Sequence, residues 1–262
     1  MRIEVFYHLY IPPNEQAINW VWWVDSQLSL VRDSHLSKFA KVNMCITLPT
    51  EWTHYLNIPF SKSTTQALCN FRELVEDYIN YRYPFVNIID VRDVAEENIY
   101  EGQTLSKLYE FAQSDTEDTF ILYFHGKGTA NLLVNPIYMK AWKDILDKVL
   151  IGDWMDCVKH LFDNEVVGVW DSSASITERR PVMSGNFWWT KSSYIKKLSD
   201  PLKSNQYISN DMSHLHPGQL SYRYAFEHWI NLSNPKVKSV KHFNTDSFHL
   251  SDVNPIFIEH LI

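Results

Sequence analysis

Apolar runs of strand length alternate with stretches of helical spacing along most of this chain, and that alternation is its strongest constraint. Arg2 to Tyr10, Lys41 to Leu48, Phe85 to Val91, Thr119 to His125, Val166 to Trp170 and Asn186 to Thr190 each read as strands. Between them, Val21, Val24, Leu28 and Val31 recur at helical spacing. So do Leu68, Phe71, Val75 and Tyr78, then Leu105, Leu108, Tyr109 and Ala112. The helical period returns over Ile137 to Leu150, at Trp154, Cys157, Val158 and Leu161, and from Gln219 to Leu232. Parallel neighbours need a crossover, which such helices supply, so the pattern predicts an α/β sandwich around a mostly parallel sheet. No repeat, low-complexity tract or break in composition divides residues 1–262, which read as a single domain. Ligands of such sheets bind beyond the carboxyl ends of the strands.

Glycine narrows the choice further. The chain has 7 glycines in 262 residues, and none precedes Gly102. No G-x-G-x-x-G turn can follow the first strand, and no G-x-x-x-x-G-K-[ST] loop occurs anywhere. An ordinary dinucleotide-binding dehydrogenase and a P-loop NTPase are both disfavoured. With 24 basic against 31 acidic residues the formal net charge is −7, which disfavours bulk attraction to nucleic acid or an anionic membrane. Cys45, Cys69 and Cys157 show no paired spacing, and the first residues lack the apolar stretch of a signal peptide. These features, with no apolar run long enough for a membrane span, predict a cytoplasmic protein.

Two segments carry candidate chemistry. The strand Thr119 to His125 runs into Gly126-Lys127-Gly128, where two glycines allow close backbone approach and Lys127 supplies a point charge for phosphate. A tight turn with a surface lysine is the plainer reading of the same residues. The second segment begins with Asp171 at a strand end, continues through Glu178, Arg179 and Arg180, and ends in Ser184-Gly185-Asn186-Phe187-Trp188-Trp189. The arginines suit an anionic ligand or a solvated loop. Alternation points Trp188 and Trp189 to opposite faces, one into the core and the other toward a site. Asp211, His214 and His216 beside Pro217-Gly218 lack a third well-placed ligand and read as a polar loop, so no metal site is predicted.

The order of these elements resembles the GT-A fold of nucleotide-diphospho-sugar transferases, a three-layer α/β/α sandwich. More narrowly, the chain is similar to glycosyltransferase-like proteins with H-x-K-G and S-G-N-F-W-W elements, here His125 to Gly128 and Ser184 to Trp189. The Phe6-Tyr7-His8 end of the first strand and Glu101-Gly102-Gln103-Thr104-Leu105 belong to the same likeness, which spans Arg2 to Trp229. It implies a transferase that moves a sugar from a nucleotide-sugar donor to a glycan or lipid-linked acceptor, with the glycolipid case bringing the protein to a membrane surface. It assigns Tyr7, His8 and Tyr10 to the nucleoside, with Tyr7 or Tyr10 able to stack on the base. His125, Gly126, Lys127, Gly128, Arg179 and Arg180 would meet the rest of the donor. Ser184, Gly185, Asn186, Trp188 and Trp189 would meet acceptor or sugar.

The likeness departs at one place. GT-A enzymes usually carry Asp-x-Asp, which holds manganese or magnesium, where this chain has His125-Gly126-Lys127. No cofactor is therefore expected, and Lys127, helped by Arg179 or Arg180, would take over the charge of the leaving diphosphate. Asp171 is the first candidate for the base that activates the acceptor hydroxyl, Glu227 the second and Glu178 the third. Glu227 lies one helical turn after Arg223, so a structural ion pair is its competing role. A noncatalytic carbohydrate- or nucleotide-sugar-binding protein on the same scaffold is the alternative function. A nucleotidyltransferase would want acidic metal ligands and a more glycine-rich loop.

Overall fold

Seven strands form a single sheet in a computed structural model of the chain, which describes residues 1–12, 20–49, 71–93, 101–126, 136–170, 183–204 and 226–240. β1 (Ile3–Tyr10) lies in parallel between β2 (Ala40–Leu48) and β4 (Phe120–His125), and β2 pairs in parallel with β3 (Val86–Asp93). β6 (Met183–Lys191) runs antiparallel to both β4 and β5 (Val166–Trp170), and β5 pairs in parallel with β7 (Val237–Ser239). The order is β3-β2-β1-β4-β6-β5-β7, so the sheet is mixed but mostly parallel.

Helices cover both faces, as the alternation of strand side chains requires. On one face, Val5, Tyr7 and Leu9 of β1 and Leu122 and Phe124 of β4 pack under α1 (Trp20–Asp33), α2 (Phe71–Arg82), α4 (Pro136–Asp147) and α5 (Trp154–His160). On the other, Phe6, Ile121 and Tyr123 pack against α3 (Gly102–Ser114), α6 (Ser192–Ile195) and a helical turn at 226–229. Trp189 belongs to the first core and Trp188 to the second, so alternation does place them on opposite faces. No helix among the described residues is long and apolar enough to cross a membrane.

Strand ends in the first half of the chain move by one or two residues from the sequence reading, and three larger differences have a physical reason. The helical period over Ile137 to Leu150 covers α4 and then a π-helical turn at Lys148–Gly152, because an apolar stripe does not reveal a change in hydrogen-bond register. β6 starts at Met183, three residues before the apolar alternation becomes visible. β7 has three residues, too few to show a period.

The chain order reverses between β1 and β4: β2 and β3 lie to one side of β1, and β4 lies to the other. Crossovers leave in opposite directions at such a point, and the carboxyl ends of the two strands border a crevice. That crevice is where His8 and His125 stand.

Candidate functional site

His8 and His125 are register partners at the carboxyl ends of β1 and β4, and the Gly126 N–H donates to the His8 carbonyl at 3.0 Å. Parity along the strands turns both imidazoles toward α3, on the side of Phe6 and Tyr123. His8 Nδ1 lies 2.9 Å from the Thr104 hydroxyl. Burial pushes the His8 imidazole down to about 3, so it is neutral at ordinary pH.

Glu101, immediately before α3, is the centre of a buried polar cluster. Its Oε2 accepts from the Tyr123 hydroxyl at 3.1 Å, and its Oε1 accepts from Asn186 Nδ2 at 3.0 Å. His125 Nε2 lies 3.5 Å from Oε2 and 2.8 Å from the Gly185 carbonyl. A carbonyl only accepts, so that imidazole nitrogen carries its hydrogen and donates. Burial, then the charge of Glu101, drives the Tyr123 phenol well above its ordinary range and keeps it a donor.

The Gly185-Asn186 pair aims β6 at this cluster. Between Gly168 and Trp170 of β5 the register with β6 shifts by three residues, from Trp188 to Met183. Gly185 and Asn186 make the resulting bulge with φ of 69° and 55°. A Cβ on Gly185 would lie 2.5 Å from Leu146 Cδ1, so space and backbone both require glycine there. Asparagine tolerates the left-handed conformation, and its amide is used at both ends: Nδ2 reaches Glu101, and Oδ1 accepts from Trp188 Nε1 at 2.9 Å.

A second buried cluster holds the opposite side of His125. Gln27 Nε2 donates to the His125 carbonyl at 3.2 Å and to Asp147 Oδ1 at 3.0 Å. Asp147 also pairs with Lys143, one turn earlier on α4, whose Nζ lies 5.4 and 5.1 Å from the rings of Trp22 and Trp23. Burial pushes the Asp147 carboxyl up, and Lys143 and Gln27 pull it back.

These contacts sort the predicted residues. His8, His125, Gly126, Gly185 and Asn186 come together at the carboxyl ends of β1 and β4, and Tyr10 ends β1 half-buried beside them. Glu227 sits on the helical turn near Tyr123, and its charge contributes to raising that phenol. Tyr7 is corrected: its ring is fully buried, faces α1 and stacks on Phe124 with centroids 4.6 Å apart, so it is core instead of a base platform. Trp188 and Trp189 are both fully buried, which corrects the expectation that one borders the site. Asn186 is buried, and its amide brackets Glu101 and Trp188. Only the backbone of Ser184 is described, and Lys127, Gly128, Asp171, Glu178, Arg179 and Arg180 lie outside the described residues.

Glu101 and Tyr123 were missed as site residues. The signal for Glu101 was its neighbour: Gly102 opens a helix, where glycine is a poor former, because a Cβ would lie 2.4 Å from Phe226. Tyr123 reads as one more apolar strand position, and its hydroxyl acquires a role only once Glu101 is beside it.

The described polar groups at the end of β4 are engaged with one another. His125 Nε2 is spent on Gly185, Glu101 accepts from Tyr123 and Asn186, and no group of three His, Cys, Asp or Glu that could hold a metal ion occurs among the described residues. A family model described as "Domain of unknown function (DUF8361)" matches residues 6–254, nearly the whole chain. No curated protein matches it.

Proposed function

The chain belongs to the DUF8361 family, and we propose that it is a GT-A-like glycosyltransferase that moves a sugar from a nucleotide-sugar donor to a glycan or lipid-linked acceptor. One observation carries the reading. The two strand ends that flank the reversal of chain order bring His8, His125 and the Gly126 backbone to one crevice, and the likeness assigns these residues to the donor. The nucleoside occupies the β1 side, next to His8 and Tyr10. The diphosphate meets Lys127, with Arg179 and Arg180, where charge develops on the leaving group. An acceptor hydroxyl gives its proton to Asp171 or Glu227 as it attacks the sugar. Glu101 fixes His125 and the Gly185 turn against each other and so holds the start of the donor loop in place.

Thermal-shift screening against UDP-, GDP-, CMP- and dTDP-sugars, with and without manganese, tests this reading. Selective stabilisation by one donor, then slow release of its nucleotide, is expected. Stabilisation by free glycans alone would move the assignment to a carbohydrate-binding protein. Lys127→Ala is expected to weaken donor binding about tenfold, since charge-assisted hydrogen bonds to phosphate are strong. Unchanged affinity would remove Lys127 from the site. A donor affinity that collapses in EDTA and returns with manganese would overturn the metal-free mechanism.

A further inference from the structure

The peptide that joins His125 to Gly126, where β4 leaves the sheet, is held at both ends. Its N–H donates to the His8 carbonyl of β1 at 3.0 Å. Its carbonyl points the opposite way, as in any trans peptide, toward the side of β6. No strand meets it there, because β4 pairs with β6 only as far as Tyr123 and Trp188, and β6 then bulges at Gly185 and Asn186. Gln27 of α1 supplies the donor instead. Its Nε2 lies 3.2 Å from the His125 carbonyl and 3.0 Å from Asp147 Oδ1. A backbone carbonyl only accepts, so the amide turns its nitrogen, and not its oxygen, to the strand.

Packing alone does not explain a glutamine at this position. Gln27 is fully buried on the stripe of α1 that carries Trp23, Val24, Leu28 and Val31, and its Oε1 has no hydrogen-bond partner. An apolar side chain would fill the same place without burying an unmatched oxygen. What the amide adds is control of one peptide plane. That plane sets the direction in which the chain leaves β4, and glycine at 126 imposes little backbone preference of its own. The imidazole of His125 is fixed separately, from the other face, by the Gly185 carbonyl and Glu101. The end of β4 therefore has its side chain set by β6 and the start of α3, and its backbone set by α1.

Resting on the glycosyltransferase reading, we infer that Gln27 is a positioning residue for the donor: by holding the His125–Gly126 peptide it aims the end of β4 at the diphosphate. It acts through the backbone and touches no donor atom. The nucleoside, on the β1 side with His8 and Tyr10, depends on other contacts, so the effect of Gln27 is confined to the phosphate part of the ligand.

The test is isothermal titration of the full chain with UDP, GDP and dTDP and with uridine, guanosine and thymidine, in the unaltered protein, Gln27→Met and Gln27→Asn, with circular dichroism as the check of folding. Gln27→Met keeps the length and removes the donor. Gln27→Asn keeps the amide one methylene short of the carbonyl. In the unaltered chain one diphosphate should bind at least about tenfold more tightly than its nucleoside, because charge-assisted bonds to phosphate are strong. Each variant should lower that ratio at least about threefold, the worth of one hydrogen bond, and leave the nucleoside affinity within about twofold. A glutamine that only completes the core would change stability and leave the ratio where it was. A ratio unchanged in the folded variants, or a loss shared equally by nucleoside and diphosphate, would overturn the positioning role and leave the glycosyltransferase reading intact. If Gln27→Met does not fold, Gln27→Asn decides. If none of the three diphosphates binds the unaltered chain, the glycosyltransferase reading falls, and the role of Gln27 falls with it.

Discussion

Two buried carboxylates flank His125, and they draw their partners from different distances along the chain. Asp147 is paired with Lys143, four residues earlier on the same helix, so its charge is cancelled by a full charge within one element. Glu101 is met by the Tyr123 phenol and the His125 imidazole of β4 and by the Asn186 carboxamide of β6, groups from two strands far away along the chain. The first arrangement is a closed pair wedged beside Trp22 and Trp23 and tied to the His125 backbone through Gln27. The second gathers its donors across the sheet, at the edge of the crevice between β1 and β4. The Asp147 cluster braces the site from behind. The Glu101 cluster shapes the side a ligand would meet.

The largest expected effect breaks the closed pair. Lys143→Met leaves Asp147 buried without its cation and should cost about 3–5 kcal/mol in urea denaturation, while Lys143→Met with Asp147→Leu should recover most of it. If the single variant costs under about 1 kcal/mol, Asp147 is not held by Lys143, and the contrast with Glu101 disappears. Next, Glu101→Gln keeps the shape but offers one acceptor oxygen where Tyr123 and Asn186 need two. It should cost about 1–3 kcal/mol, and a double-mutant cycle with Asn186→Ala should show coupling above about 0.5 kcal/mol. Additive costs would mean that the two residues do not share one network.

Backbone geometry makes a smaller, sharper test. Gly185→Ala should destabilise by about 1–2 kcal/mol, since φ is 69° and Leu146 blocks the new methyl. Gly152→Ala meets nothing nearer than 3.9 Å and should stay within about 0.5 kcal/mol of the unaltered chain. The last test concerns pH. His8 titrates near 6.5 when unfolded and about 3 when folded, so the unfolded chain binds the extra proton between those values. Stability should therefore fall as pH drops from 6.5 toward 3, with a contribution below about 1.4 kcal/mol per pH unit, and His8→Asn should flatten that limb. An acid limb identical in the variant would place the loss at a group other than His8, and not at Asp115, whose window lies lower. Burial opposes ionisation of that carboxyl, but hydrogen bonds from Ser192, Thr119 and Glu117 outweigh it and hold it at about 2, and its contribution disappears only as pH falls through that value.

The sheet was legible because its signals are local. The β-prone run of β1 and the near-continuous apolar run of β4 survive in any short window, as does the helical stripe of α1. The S-G-N-F-W-W element was legible as special and misread in detail. Its glycine and asparagine mark a bulge in β6, and its tryptophans fill two cores, so the motif is more architectural than its resemblance suggested. Tyr7 was ambiguous because an aromatic residue at a strand end looks alike whether its face turns to solvent or to Phe124.

By itself the sequence determined the alternating α/β architecture, the opposite faces of Trp188 and Trp189, and the arrival of His8 and His125 at strand ends. Each follows from the periods of strand and helix, which act over a few residues. Only the tertiary structure decided that those two histidines stand side by side, that Glu101 gathers donors from residues 22 to 85 positions away, and that Gln27 reaches the last carbonyl of β4 from α1. Strand order and the depth of burial set those relations, and neither leaves a local mark on the chain. The physical reason is that a hydrogen bond between distant residues is chosen by the packing that excludes water around it, after the helices and strands that carry its partners have formed.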